Sequence, residues 1–186
     1  MALTKTPICE FGKKAEEFQL KSINNEIITL NKIKGKNGTL IMFICNHCPY
    51  VKAIIKELVE DCKNLISDGI NSVAIMSNDT NNYPEDSFDN MIEFARNYEF
   101  ENLHYCIDET QEIAKKYGAV CTPDFFGYNK NLELQYRGRM RELKKLIPIR
   151  SGESDLFQAM KQIAETGKGP KEQIPSAGCG IKWKFD

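Results

Sequence analysis

The stretch Thr39-Leu40-Ile41-Met42-Phe43-Ile44-Cys45-Asn46-His47-Cys48-Pro49-Tyr50 decides the fold. Its first half is an uninterrupted, largely apolar run, which suits a strand buried on both faces. Beyond it, apolar residues recur at Val51, Ile54, Ile55, Leu58, Val59, Cys62, Leu65 and Ile66. That spacing marks one face of a helix. The stretch therefore reads as buried strand, two-cysteine turn and long amphipathic helix. In that setting a Cys-x-x-Cys pair reads as a dithiol redox centre.

Helix physics supports this reading. A helix N-terminus carries unpaired N–H groups and roughly half a positive charge. A thiolate placed there is stabilised, so Cys45 is expected to ionise readily and attack a disulfide. Cys48, one helical turn on, would then resolve the mixed disulfide. Pro49 is tolerated in the first helical turn, where its missing N–H loses little. His47, between the thiols, would favour thiolate when protonated and so make the pair more oxidising. Two plainer readings stay open: a pair of buried structural thiols, or half of a zinc site.

The chain has 186 residues, enough for one domain with a sizeable core. Composition, 41% apolar and 27% charged, is that of an ordinary globular protein, and the formal net charge of −1 steers it neither to nucleic acid nor to anionic lipid. No apolar stretch approaches the roughly 20 residues of a membrane span. The N-terminus shows no signal-peptide core, which predicts a cytoplasmic location. Seven cysteines, an odd number, argue against a closed disulfide framework and for free thiols in a reducing compartment.

Taken in order, residues 1–16 read as a loosely held polar arm carrying an exposed, incidental Cys9. Phe18-Gln19-Leu20 and Ile27-Ile28-Thr29-Leu30 flank Asn24-Asn25 as a hairpin. The helix after the cysteines should end at Gly69. Val73-Ala74-Ile75-Met76 is a second buried strand, followed by a polar loop. Pro84-Glu85-Asp86 should open a helix carrying Phe88, Met91, Ile92 and Ala95. His104 to Ile107 is a short strand, with His104 and Cys106 as structural side chains rather than metal ligands. Asp108 to Tyr117 is a helix. Phe125 to Tyr136 is a hairpin whose second strand, Leu132 to Tyr136, alternates and so has one wet face. Arg137, Arg139, Arg141, Lys144, Lys145 and Arg150 read as a solvated basic face; the sharper alternative is a docking patch for an anionic partner. Asp155 to Ala164 is a helix, and the tail from 167 should pack through Trp183. Cys62 reads as core. The order β-β-β-α-β-α-β-α-β-β-α gives an α/β fold with a mixed sheet between helices and an N-terminal hairpin extension. Residues 1–186 read as a single domain with an arm 1–16 and a tail 167–186.

With Cys45-Asn46-His47-Cys48-Pro49-Tyr50 on a strand-to-helix turn and Thr122-Pro123 opening a hairpin, the chain resembles the thioredoxin fold. More narrowly, it is similar to a peroxiredoxin-like, AhpC/TSA-related redoxin subfamily. The matching stretches are Cys45 to Val51, Asn82 to Ser87, Gly118 to Phe126, Tyr136 to Arg139 and Pro175 to Trp183. The resemblance implies that Pro123 is a cis-proline facing the dithiol, and that the backbone of Thr122 is open to pair with a substrate strand. It also implies where a peroxidase triad would fall. The peroxidatic position aligns with Cys48, and the threonine position before it is Cys45, so that triad is not intact. Its arginine has only Arg137 and Arg139 as candidates. Met140-Arg141 stands where the family pattern has an acidic pair. Cys121 and Cys179 lie in matching stretches and are candidate additional redox thiols.

The expected function is thiol–disulfide oxidoreduction by Cys45 and Cys48, with His47, Thr122 and Pro123 tuning the site and holding substrate. No cofactor or metal is needed. The partners are a protein or small-molecule disulfide and an external thiol reductant, without nucleic acid or membrane. The alternatives are a thiol peroxidase, and a zinc-binding interaction module using Cys45, Cys48 and Cys179 or Cys121.

Overall fold

A computed structural model describes residues 3–185 of the chain. Its elements in order are Leu3–Lys5 (β1), Gln19–Ser22 (β2), Ile27–Thr29 (β3), Leu30–Ile33 (α1), Gly38–Phe43 (β4), Pro49–Leu65 (α2), Ile70–Met76 (β5), Phe88–Asn97 (α3), His104–Ile107 (β6), Glu112–Tyr117 (α4), Cys121–Thr122 (β7), Asp124–Asn129 (β8), Leu134–Tyr136 (β9), Leu143–Lys144 (β10), Ile147–Pro148 (β11), Asp155–Thr166 (α5) and Ala177–Gly180 (β12). The first two residues of the expected arm 1–16 and the last residue of the tail 167–186 lie outside the described residues.

The main sheet has the order β3-β2-β6-β5-β4-β8-β9. β4 pairs in parallel with β5 and antiparallel with β8, and β5 pairs in parallel with β6. The sheet is therefore mixed and carries helices on both faces, as the order of elements predicts. All six residues of β4 are buried, and their alternation assigns them to two cores. Leu40 and Met42 join α2 and α5 on one face. Ile41 and Phe43 join α1, α4 and the Phe126 ring on the other. Each such buried side chain contributes about 1.5–3 kcal/mol relative to exposure. The N-terminal hairpin is present, turning at Asn25 with φ 60°, and β2 docks it on β6.

Several boundaries differ from expectation for identifiable reasons. Pro84–Asp86 is a separate 3-10 turn, and α3 starts after it because Ser87 Oγ accepts from the Asn90 N–H at 3.3 Å. Asp108 is not in α4 but caps it, accepting from the Ile113 and Ala114 N–H groups at 3.3 and 2.9 Å. α2 passes through a 3-10 turn at Ile66–Asp68 to Gly69 at φ 77°, which leaves Ile66 exposed rather than on the buried face.

β9 has no wet face: Leu134, Gln135 and Tyr136 are all buried. The tail covers it, with the Gly169 N–H on Gln135 Oε1 at 3.2 Å and Gln173 Nε2 on the Gln135 carbonyl at 2.8 Å. The arm is likewise held rather than loose. β1 pairs with β12, and the Gly12 and Ala15 N–H groups each bond β9-side carbonyls at 2.9 Å. Cys9 is accordingly half-buried, and burial pushes its thiol up to about 11.

The basic cluster divides. Lys144, Lys145 and Arg150 are exposed as expected. The three arginines are not a solvated face. Arg137 is buried on Asp124, Arg139 bonds Asp155 at 2.7 Å, and Arg141 is buried on Glu57 at 2.6 Å with the Ile149 and Gly152 carbonyls. Sequence charge cannot tell a solvated arginine from one that meets a carboxylate brought by another element. No helix among the described residues is long and apolar enough to cross a membrane.

Candidate active site

β4 carries the chain to the Cys45–Cys48 turn, and α2 leaves from it. Both thiols are buried, Cys45 at 1% exposure and Cys48 at 0%. Both touch Thr122, whose own peptide bond to Pro123 is cis. Cys45 Sγ lies 3.5 Å from Thr122 Oγ1, and the Cys48 thiol donates to the Thr122 carbonyl at 3.2 Å. The expected neighbour Thr122 therefore meets both thiols, and its peptide bond to Pro123 is cis.

The helix N-cap is Cys48, not Cys45. This changes which sulfur is expected to ionise. A hydrogen bond from Cys45, the Thr122 hydroxyl and the backbone N–H groups of Cys179 and Val51 lower Cys48 to about 4, against the opposing effect of burial. Cys45 moves the other way, well above its ordinary value, because it supplies that hydrogen bond, is buried and faces the Asp86 charge. Ionisation of Cys48 also gives up its bond to the Thr122 carbonyl. The groups that favour its thiolate act against this, and the pair is shifted down at Cys48 and up at Cys45.

His47 is held differently from expectation. Its Nδ1 lies 2.7 Å from Asp86 Oδ2 but 3.9 Å from Cys45 Sγ. Its ring stacks on Tyr83 with centroids 5.9 Å apart. The imidazole charge is thus neutralised largely by Asp86 and reaches Cys45 as half of an ion pair.

Asp86 is fully buried and also takes the Asn46 N–H and Asn78 Nδ2, each at 2.8 Å. Tyr105 OH donates to Asn46 Oδ1 at 2.8 Å. Asp86, Asn78, Asn46 and Tyr105 together fix the turn between the cysteines, and sequence reasoning assigned none of them to the site. One available signal was topological: Asn78 follows the C-terminal end of β5, beside the end of β4 that carries Cys45.

The hydrogen bond to Asp86 raises the His47 pKa, and the same bond helps lower that of Asp86. A raised histidine stabilises below its unfolded value and loses that contribution as pH rises through its folded value. A lowered aspartate stabilises above its unfolded value and loses that contribution as pH falls. The pair is therefore worth most between about pH 4 and 6.5. Asp86→Asn should drop the His47 pKa below the ordinary histidine value, since desolvation then acts unopposed by that bond. Proton NMR titration of the imidazole checks this; an unchanged His47 pKa would sink the assignment.

The Thr122 edge is not open to a substrate strand, contrary to what the resemblance implies. β12 already pairs with it, with Cys179 opposite Thr122 and Gly180 opposite Cys121. Cys179 is buried in the same apolar cluster as Cys45 and Cys48. Cys121 is not brought into the site. It adjoins Thr122 on an extended strand, so it faces the other way, and its thiol lies 3.6 Å from the Pro123 carbonyl. Arg137 and Arg139, the candidates for a peroxidase arginine, are committed to Asp124 and Asp155 and make no hydrogen bond to either thiol.

A cleft of about 500 Å³ opens beside the site, lined among others by Tyr50, Ile54, Pro123, Met140, Leu143 and Ile174. A larger hollow of about 780 Å³, between α2 and residues 97–103, lies away from the chemistry. Potential metal ligands in Cys45, His47 and Asp86 lie within 4.8 Å of one another, a different set from the cysteines considered for zinc. The donors there already bond each other, with Nδ1 held at 2.7 Å by Asp86.

A family model described as AhpC/TSA family matches residues 11–142. Comparison with curated proteins returns no match. Among solved structures, an uncharacterised conserved protein of Geobacillus kaustophilus is 38% identical, with a TM-score of 0.93 over 100% of this chain and 98% of that one. A hypothetical protein of Sinorhizobium meliloti is 31% identical, with a TM-score of 0.88 over 98% of each chain. The thioredoxin domain of a thiol-disulfide oxidoreductase from Bacteroides vulgatus is 12% identical, with a TM-score of 0.58 over 68% of this chain and 86% of that one. This last likeness is one of fold, and the fold is thioredoxin-like.

Proposed function

The chain belongs to the AhpC/TSA family, and on that premise we propose that it is a thiol–disulfide oxidoreductase working by dithiol–disulfide exchange at Cys45 and Cys48. One observation carries the reading: two buried thiols meet Thr122, beside a cis-proline, at the start of a long helix whose N-cap is Cys48. The Cys48 thiolate attacks one sulfur of a substrate disulfide. The substrate S–S bond breaks, a mixed disulfide forms, and the first substrate thiolate leaves. Cys45 then loses its proton and attacks Cys48 Sγ. This forms the Cys45–Cys48 disulfide and releases the second substrate thiol, so two electrons pass to the substrate. The roles are the reverse of those the motif alone suggests, because the N-cap is Cys48. His47 and Asp86 position the turn, and an external thiol system returns the pair to the reduced state.

The midpoint potential of the pair is the direct test. Protein equilibrated in graded thiol buffers is alkylated and mapped cysteine by cysteine. A value near about −270 mV marks a reductase and one near about −120 mV an oxidant. Failure of Cys45 to join Cys48 at any potential would overturn the dithiol reading.

A second reading, thiol peroxidase, is favoured by the same N-cap placement of Cys48 and by near-complete burial, which admits a small hydroperoxide more readily than a folded protein. Stopped-flow consumption of hydroperoxide by the reduced protein, lost in Cys48→Ser, would establish it.

A further inference from the structure

The substrate edge of this site is filled by the chain's own tail, and the tail brings a thiol with it. β12 lies between β1 and β7, with Cys179 opposite both Leu3 and Thr122. Thr122 is the residue whose carbonyl and hydroxyl meet Cys48 and Cys45. The fit is close: a Cβ added at Gly178 would lie 1.9 Å from the Thr122 carbonyl oxygen, so glycine is required there. The strand is pinned on either side. Ser176 Oγ donates to the Pro123 carbonyl at 2.8 Å, and the Ile181 N–H donates to the Val120 carbonyl at 3.2 Å. Beyond it, the Lys182 N–H bonds Asn78 Oδ1 at 2.9 Å, tying the tail to the network under His47. Cys45 and Cys48, at 1 and 0% exposure, lie beneath this cover, and the thiol on the covering strand is packed in the same cluster with them.

We propose that β12 acts as a built-in substrate strand and that Cys179 exchanges with Cys48. The step rests on the dithiol reading for its source of oxidising equivalents. Starting from the Cys45–Cys48 disulfide, the Cys179 thiolate attacks Cys48 Sγ. The Cys48–Cys179 bond forms, the Cys45–Cys48 bond breaks, and Cys45 leaves as a thiolate that takes up the proton Cys179 gave up. One disulfide is consumed and one made, so no further oxidant enters. The oxidising equivalent thereby moves from the buried turn to the tail. In the reduced protein the Cys179 thiol is held protonated, at about 11, by burial and by the neighbouring Cys48. That is the state in which the strand is a passive cover.

The test uses the full chain as wild type, Cys45→Ser and Cys45→Ser/Cys179→Ser. Each is oxidised natively in graded dithiothreitol buffers, acid-quenched, alkylated and peptide-mapped. In Cys45→Ser the expected result is a Cys48–Cys179 linked peptide as the main oxidised species, absent from the double variant. Circular dichroism confirms that the single variant is folded. A Cys45→Ser protein in which Cys48 stays a thiol, or links only to Cys121 or to buffer thiol, would overturn the proposal; so would a link seen only after urea treatment. If wild type never joins Cys45 to Cys48 while Cys45→Ser joins Cys48 to Cys179, the dithiol reading fails and the pairing proposed here stands.

Discussion

Cys48→Ser should remove disulfide exchange outright, lowering turnover on the order of a thousandfold or more, as loss of a nucleophile does. Cys45→Ser should behave differently. It keeps the attacking sulfur and loses the resolving one, so the mixed disulfide it captures on Cys48 should pass to Cys179, and Cys45→Ser/Cys179→Ser should hold it for mass spectrometry to detect. The asymmetry follows from position: Cys48 is the N-cap residue of α2, at the positive end of the helix, while Cys45 faces the Asp86 charge. Because a hydrogen bond from Cys45 does most to favour the Cys48 thiolate, the ultraviolet thiolate absorbance of Cys45→Ala, which has no donor there, should titrate at higher pH than that of wild type. A protein in which Cys48→Ser still captures substrate and Cys45→Ser does not would return the attacking role to Cys45.

The largest stability effect is expected at Arg137. Its side chain is 5% exposed, with Nε and Nη2 on the Asp124 carboxylate at 3.3 and 3.0 Å and Nη2 also on the Gly118 carbonyl at 2.8 Å. The guanidinium lies 4.4 Å from the centre of the Phe126 ring. Asp124 is wholly buried, and burial raises its carboxyl even against the arginine. Arg137→Met leaves that carboxylate without its cation. The expected loss is about 3–5 kcal/mol, or a fall in Tm of roughly 6–20 °C for a chain of this size. Arg137→Met/Asp124→Leu should recover part of it, since an apolar pair of similar volume carries no stranded charge. Arg139→Met, whose pair with Asp155 is partly exposed at 24% and 45%, should cost about 1 kcal/mol or less. Urea denaturation of the four proteins decides the matter. A loss at Arg137 no larger than at Arg139 would mean that the buried pair is not what holds Asp124 beside Pro123.

The core of the fold was legible in the chain because its signals are local. Apolar residues from Leu40 to Ile44 and the helical spacing from Val51 to Leu65 specify a buried strand and an amphipathic helix whatever surrounds them. The turn that carries Cys45 and Cys48 follows from their junction. Asn24-Asn25 and Gly69 marked a turn and a cap for equally local reasons.

Other residues were misplaced because periodicity reports that a face is buried and is silent on what buries it. The alternation at Leu132 to Tyr136 describes a half-wet strand, and only the tail at Gly169 and Gln173 covers Gln135. The arginines at 137 and 141 look like surface charge until Asp124 and Glu57 meet them.

By itself the sequence determined the central strand, the long helix and the two thiols between them. Tertiary structure decided what meets the two sulfurs, because Thr122 reaches both Cys45 and Cys48 only once β7 lies beside the end of β4 and the start of α2. It also decided that Asp86 lies under His47, and that Cys179 rather than a foreign strand sits against Thr122. Those outcomes depend on backbone pairings and buried polar contacts between segments far apart in the chain. Their geometry is set by the sheet as a whole, and no residue pattern within either segment encodes it.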